Sequence, residues 1–167
     1  MKKYMLIALV AILVLSAAGL AGGRATAKEA KILEFDSLVG IPSAYTGTQN
    51  PIRGINGGGL PWSIGPSSGE LTASGKLEIT VNDLVLAAGP NAGKNPISSF
   101  RAIVSCLKSD GTVGNVMTDP FPATVATATD PGGDASIEVT LVLPQPCIAP
   151  LVFVTSPGGA WFATIGK

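Results

Sequence analysis

Ala135-Ser136-Ile137-Glu138-Val139-Thr140-Leu141-Val142-Leu143 decides the fold class. Its apolar residues Ala135, Ile137, Val139, Leu141 and Leu143 alternate with Ser136, Glu138, Thr140 and Val142. Successive side chains of an extended chain point to opposite faces, so this period of two predicts a nine-residue strand with one face in a core. Asp130-Pro131-Gly132-Gly133-Asp134, immediately upstream, is turn chemistry. The same alternation runs through Leu77, Ile79 and Val81, and after Asp83 the apolar set moves to Leu84 and Leu86. That one-residue change of phase predicts a β-bulge.

Working outward, residues 31–39, 98–107, 112–118, 121–127, 151–155 and 160–165 read as further strands, with Asp110-Gly111 as a hairpin turn. No segment carries a sustained amphipathic helical face. Short strands separated by Gly/Pro turns predict an all-β fold, an immunoglobulin-like β-sandwich, with a small closed β-barrel as the alternative. Residues 40–61 are the least strand-like. A connection of that length in a compact domain is uncommon unless it has a function, so any binding surface is expected there.

The N-terminus speaks to compartment. Lys2 and Lys3 precede an apolar run from Tyr4 to about Leu20, and small residues follow, ending in Ala25-Thr26-Ala27. This is the pattern of a secretory signal peptide, expected to span residues 1–27 and to leave residues 28–167 as one secreted domain. The alternative is an uncleaved N-terminal membrane anchor, although the strongly apolar part stops near Leu15. No cysteine stands right after the apolar run, which excludes lipoprotein processing.

Loss of residues 1–27 removes Lys2, Lys3 and Arg24, leaving eight basic residues against eleven acidic ones. No basic stripe remains to neutralise phosphates, which argues against a nucleic-acid partner. Cys106 and Cys147 are the two cysteines, and in an oxidising compartment they are expected to form one disulfide. A thiol nucleophile or a zinc site would need partners that a chain without histidine does not supply.

The same lack of histidine excludes Ser-His-Asp and Cys-His catalysis. Lys28, Lys31, Lys76, Lys94, Lys108 and Lys167 fall in turns, at termini or on the polar side of a strand, where a depressed-pKa base is not expected. Glu70, Glu78, Asp83, Asp110, Asp119, Asp130, Asp134 and Glu138 could in principle supply the two acids of a carboxylate-dependent hydrolase. Their positions read instead as solvated. Gly89-Pro90-Asn91-Ala92-Gly93-Lys94-Asn95 has one residue too few for a phosphate loop and Asn95 where a Ser or Thr should ligate Mg²⁺. Asp130 and Asp134 read as a hairpin, with calcium as the alternative, though one pair of carboxylates is short of the ligands calcium takes. No cofactor, metal or catalytic residue is expected.

Trp62 has one bindable alternative to a core role. An exposed indole stacks on sugar faces, and Tyr45, Arg53 and Asn56 lie on the same Gly-rich segment to supply hydrogen bonds. Tyr45, Arg53, Asn56 and Trp62 are therefore the candidate ligand-binding residues of a glycan or envelope-component recognition module. Trp161, beside Phe162, reads as core. Pro144, Pro146 and Pro150 bracket Cys147 and should hold it rigidly, with one X-Pro bond a candidate for cis.

Asn50-Pro51-Ile52-Arg53-Gly54, Gly57-Gly58-Gly59-Leu60-Pro61-Trp62, Phe100-Arg101-Ala102 leading to Cys106, Leu143-Pro144, Pro146-Cys147-Ile148-Ala149-Pro150 and Gly159-Ala160-Trp161-Phe162-Ala163 together resemble a group of small secreted bacterial proteins. The resemblance covers nearly all of residues 28–167 and implies a single exported domain with a paired cysteine bridge. It implies no activity or ligand. The function expected is that of a non-catalytic structural or binding protein outside the cytoplasm, with an unidentified extracellular protein or glycan as partner.

Overall fold

The structure, a computed structural model, describes residues 29–165. The expected signal peptide, its cleavage site and the alternative anchor lie outside the described residues. Among the described residues no helix is long and apolar enough to cross a membrane.

In chain order the strands are β1 (Lys31–Phe35), β2 (Leu38–Gly40), β3 (Trp62–Ser63), β4 (Ser67–Thr72), β5 (Lys76–Val81) and β6 (Val85–Leu86), then β7 (Ser99–Leu107), β8 (Val113–Met117), β9 (Phe121–Pro122), β10 (Ala135–Thr140), β11 (Ile148–Thr155) and β12 (Trp161–Ile165). One sheet has the order β1-β4-β5-β10. The other has the order β2-β12-β11-β7-β8, with β9 also on β7, and β3 pairs with β6 as a separate ribbon. Every strand pair is antiparallel. Residues of both sheets, among them Leu71, Leu77 and Ile137 from the first and Phe100, Val104 and Val152 from the second, share one buried cluster. The fold is all-β, a sandwich and not a closed barrel.

The expected periodicity holds where it was strongest. Leu77, Ile79, Val81 and Ile137 are buried while Thr80, Ser136 and Glu138 are exposed. The strand ends at Thr140, yet Leu141 and Leu143 remain buried and Val142 is 92% exposed, so the alternation outlasts the strand. The disulfide joins Cys106 on β7 to Cys147 just ahead of β11. In antibody domains the bridge crosses between sheets; here it links neighbouring strands of one sheet. The Gln145–Pro146 peptide is cis.

Four elements differ from the sequence reading, and the first is the strand expected over 121–127, which extends only over Phe121–Pro122. Residues 31–39 are two strands: β1 ends at Phe35, and β2 pairs with β12 in the opposite sheet. Ser67 Oγ, buried, accepts the Leu38 N–H at 2.7 Å where the chain crosses over. The change of phase at Asp83 is a strand end and not a bulge within β5. Asp83 adopts a left-handed φ of 51°, its N–H donates to Asp134 Oδ1 at 3.0 Å, and β6 continues in the β3 ribbon. Finally, β4 sits inside the first sheet although Ser67-Ser68-Gly69 shows no apolar rhythm. Gly69 leaves room for the Phe35 ring, which a Cβ there would meet at 2.4 Å.

Candidate functional site

On β7 the run Ala102, Ile103, Val104, Ser105, Cys106 is buried at every position, so both faces of this strand are covered. The first sheet covers one. The other, carrying Ile103 and Ser105, lies under residues 41–61, the segment expected to be an open loop. Its path is set by backbone bonds: Ile41 N–H to Phe162 O, Gly58 N–H to Trp161 O, and Trp161 N–H to Asn56 O, at 2.7, 2.9 and 3.0 Å. Gly57 pairs with Trp161 as a short parallel bridge.

Ile52-Arg53-Gly54-Ile55 makes a two-residue hairpin closed by reciprocal Ile52–Ile55 bonds of 3.1 and 2.9 Å. Both central residues have positive φ, 48° at Arg53 and 78° at Gly54, which is the turn form that suits strand twist. A left-handed arginine is uncommon and needs support from its surroundings. The support is its own side chain: Arg53 Nη1 donates to Ser105 O at 2.7 Å and Nη2 to Ala149 O at 2.8 Å. Asn115 Nδ2 donates to Arg53 O at 3.1 Å. The hairpin is thus stapled across β7, β8 and the start of β11.

The glycines here provide close approach. A Cβ at Gly57 would lie 2.1 Å from Tyr45 O and 2.3 Å from Ile41 Cδ1. A short 3₁₀ turn, Ser43–Tyr45, brings the Tyr45 ring within 6.2 Å of Trp161, which in turn meets Phe153 edge-on at 6.0 Å.

The four residues proposed for ligand contact therefore separate. Trp62 is 5% exposed, its indole stacked on Phe162 with ring centroids 4.1 Å apart, so the face that a sugar would need is occupied. Arg53 spends both terminal nitrogens on backbone carbonyls. Asn56 lines a cavity of about 350 Å³ together with Ile103, Asn115 and Met117. Tyr45, 40% exposed, lies over Trp161. These four do not converge on one cleft.

The carboxylates do converge. Strand register places Glu34 opposite Glu70, Glu70 opposite Glu78, and Glu78 opposite Glu138, a row running across all four strands of the first sheet. Like charges directly opposite repel. Two lysines relieve them: Lys31 Nζ reaches Glu34 at 2.8 Å and Glu70 at 2.5 Å, and Lys76 pairs with Glu78 and, at 3.6 Å, with Glu138. Hydrogen bonds donated to Glu34 and then to Glu70 push the Lys31 pKa above its ordinary value, and the bond to Glu78 does the same for Lys76. Both lysines are held in the cationic form, the opposite of what a lysine base requires. An open cleft of about 660 Å³ lies beside the row, lined by Glu34, Asp36, Glu70 and Glu78. Sequence reasoning named Glu70, Glu78 and Glu138 but missed Glu34 and Asp36. The local signal was present, since Glu34 separates Leu33 from Phe35, but the row exists only once the strand order is known.

Other candidates hold the fold. Asp110 Oδ1 accepts from the Thr112 hydroxyl at 2.7 Å and its N–H at 2.9 Å, which holds the carboxyl below its ordinary value. Asp130 Oδ1 accepts from Gly132 N–H at 2.7 Å, so this carboxylate, like that of Asp134, serves turn geometry. Among the described residues no group of three Asp, Glu, Cys or His is placed to hold a metal. Asn95, fully buried, donates to Ile97 O and Thr124 O, both at 2.7 Å, and ties two loops together.

No family model, curated protein or solved structure matches this chain.

Proposed function

We propose that this chain is a non-catalytic protein exported from the cytoplasm, acting as a structural or binding component of the extracellular space or cell envelope. The observation that carries the reading is the Cys106–Cys147 disulfide. It fits an oxidising compartment, and it consumes both thiols of a chain that contains no histidine. The polar groups nearest to chemistry support the same reading, because Lys31, Lys76, Arg53 and Asp110 are committed to bonds that hold strands and turns.

The test is fractionation of expressing cells followed by intact-mass analysis. Product outside the cytoplasm, starting near Lys28 and lighter than the reduced chain by two hydrogens, is the expected result. Cytoplasmic product with both thiols free overturns the reading.

A recognition module for glycans or another envelope component is a second reading, favoured by Tyr45 on the exposed side of the 41–61 segment and Asn56 at the rim of its cavity. Glycan binding lost on Tyr45→Ala with stability retained would select it. A carboxylate-dependent hydrolase would use the glutamate row, and a pH-dependent turnover abolished by Glu70→Gln or Glu78→Gln would be its signature.

A further inference from the structure

Each of the two larger sheets ends in two edge strands, β1 and β10 in one, β2 and β8 in the other. An edge offers unpaired N–H and C=O groups to another chain, and proteins guard it with charge, irregularity, shortness or cover. Three of these edges are guarded. β1 carries Lys31 and Glu34 and breaks its register between Lys31 and Leu33. β10 has the exposed Glu138 near its middle. β2 is three residues long, and β3 lies so close that a Cβ on Gly40 would meet Trp62 O at 2.2 Å. β8 has none of these devices. Val113-Gly114-Asn115-Val116-Met117 contains no charge and no proline, keeps an unbroken register against β7, and leaves Val113 39% and Met117 43% exposed. The bonds at the two ends of the β7–β8 ladder fix which way each β8 backbone group points: Lys108 N–H donates to Thr112 O at 2.9 Å, and Thr118 N–H to Ala102 O at 3.0 Å. Bonded pairs alternate along an antiparallel ladder. Gly114 and Val116 therefore turn toward β7, and Val113, Asn115 and Met117 turn their N–H and C=O groups to the open side.

We propose that β8 is a self-association edge, on which a second copy of this chain pairs its own β8 antiparallel about a two-fold axis at Asn115. Val113 then exchanges backbone bonds with Met117 of the second copy, Asn115 with Asn115, and Met117 with Val113. The set of outward groups is its own complement under that rotation, because the three residues are evenly spaced and the central one is neutral. The exposed Val113 and Met117 side chains lie on one face of β8 and meet across the new ladder, and the two larger sheets become one continuous sheet. The interface is isologous, so assembly closes at two copies. The same pairing is refused at β10. Leu141 N–H bonds Gly75 O there, so Ser136, Glu138 and Thr140 face outward, and self-pairing would set Glu138 directly against Glu138. An interface made of one short strand is small, so monomer and dimer are expected to exchange, as weak complexes do.

The test is sedimentation of the folded, disulfide-bonded protein from micromolar to millimolar concentration, with amide hydrogen exchange on the same samples. The expected result is an average mass that rises toward twice that of the monomer. In step with it, the amides of Val113, Asn115 and Met117 pass from free exchange to protection, while those of Gly114 and Val116 are protected throughout. Val113→Pro removes one outward N–H and no bond to β7, and should abolish both changes. Oxidation of Asn115→Cys should give a covalent dimer, since Cα atoms of a bonded pair lie about 5.5 Å apart, within reach of a disulfide. Val113→Cys, about 14 Å from its copy along the ladder, should not. A protein that stays monomeric at every concentration overturns the proposal, as does a dimer in which the three amides still exchange freely. So do a mass rise that survives Val113→Pro, and protection that appears only when an extended peptide of another sequence is added. If Val113→Pro does not fold, the exchange measurement on the wild type decides.

Discussion

Arg53 and Ser105, 52 residues apart in sequence, are joined by a 2.7 Å hydrogen bond from guanidinium Nη1 to backbone carbonyl. The second fork of the same guanidinium takes Ala149 O, so one side chain ties the tip of a hairpin to two adjacent strands. A planar fork serves two fixed carbonyls in a way that an ammonium does not. Arg53→Ala is expected to cost about 1–3 kcal/mol, the usual worth of hydrogen bonds to a charged group, and Arg53→Lys should recover less than half of it. Urea unfolding measures both. Wild-type stability in Arg53→Ala would mean that the staple carries nothing.

Trp62 separates a core role from a ligand-binding one. Stacked on Phe162 and 5% exposed, it should cost about 3–5 kcal/mol when replaced by alanine. Thermal or denaturant unfolding of Trp62→Ala checks this. A variant as stable as the wild type but deficient in binding glycan would restore the sugar-stacking role.

Two nearby glycines should respond differently to the same methyl group. At Gly57 a Cβ collides with Tyr45 O and Ile41 Cδ1, whereas at Gly59 nothing lies within 4 Å. Gly57→Ala is expected to destabilise by about 1–3 kcal/mol through overpacking. Gly59→Ala should be neutral or slightly stabilising, because it restricts the unfolded chain. Equal effects in parallel melts would show that the segment is not pressed against the sheet.

Leu141 and Val142 are neighbours with opposite environments, 8% and 92% exposed. Leu141→Ala should cost about 2–5 kcal/mol, while Val142→Ala should fall within about 0.5 kcal/mol of the wild type. Glu138→Ala, on the outer face, belongs with Val142. Reversal of the order would place the wrong face of this stretch in the core.

Asp110 offers a test in acid. The Thr112 hydroxyl and N–H stabilise its carboxylate, so its pKa in the folded protein lies below the 3.8 of the free group. The unfolded state then binds the proton more readily. The contribution is fully present above pH 3.8 and is lost as pH falls through the depressed folded value. Thr112→Val should move the Asp110 carboxyl carbon titration up toward its ordinary value. An identical titration in both proteins would remove the Thr112 hydroxyl as the cause.

Legibility in the sequence followed the range of the interaction. Strands β5, β7, β10 and β12 were readable because Leu77–Val81 and Ala135–Val139 alternate within a few residues, and Gly111 and Gly159 punctuate them with the positive φ that turns require. β4 was not, since Ser67, Ser68 and Gly69 are small and their places in the sheet are filled by Phe35 from another strand. Residues 40–61 were read as a long loop suited to a binding surface, when Gly57 and Gly58 are there because backbone and the Phe162 ring come too close for a side chain. Nothing local distinguishes the two uses of glycine.

Taken alone, residue order determined that the chain forms strands, that one face of each of the best-patterned strands is buried, that histidine chemistry is absent and that two cysteines were available to pair. These follow from the two-residue repeat of an extended backbone and from an inventory of functional groups. Tertiary structure decided which sheet each strand joins, and so aligned Glu34, Glu70, Glu78 and Glu138 from four strands into one row. It also decided that Arg53 would be spent on Ser105 and Ala149. Those outcomes depend on which distant segments come to lie side by side, a choice made by packing the whole core at once, and no short window of sequence contains it.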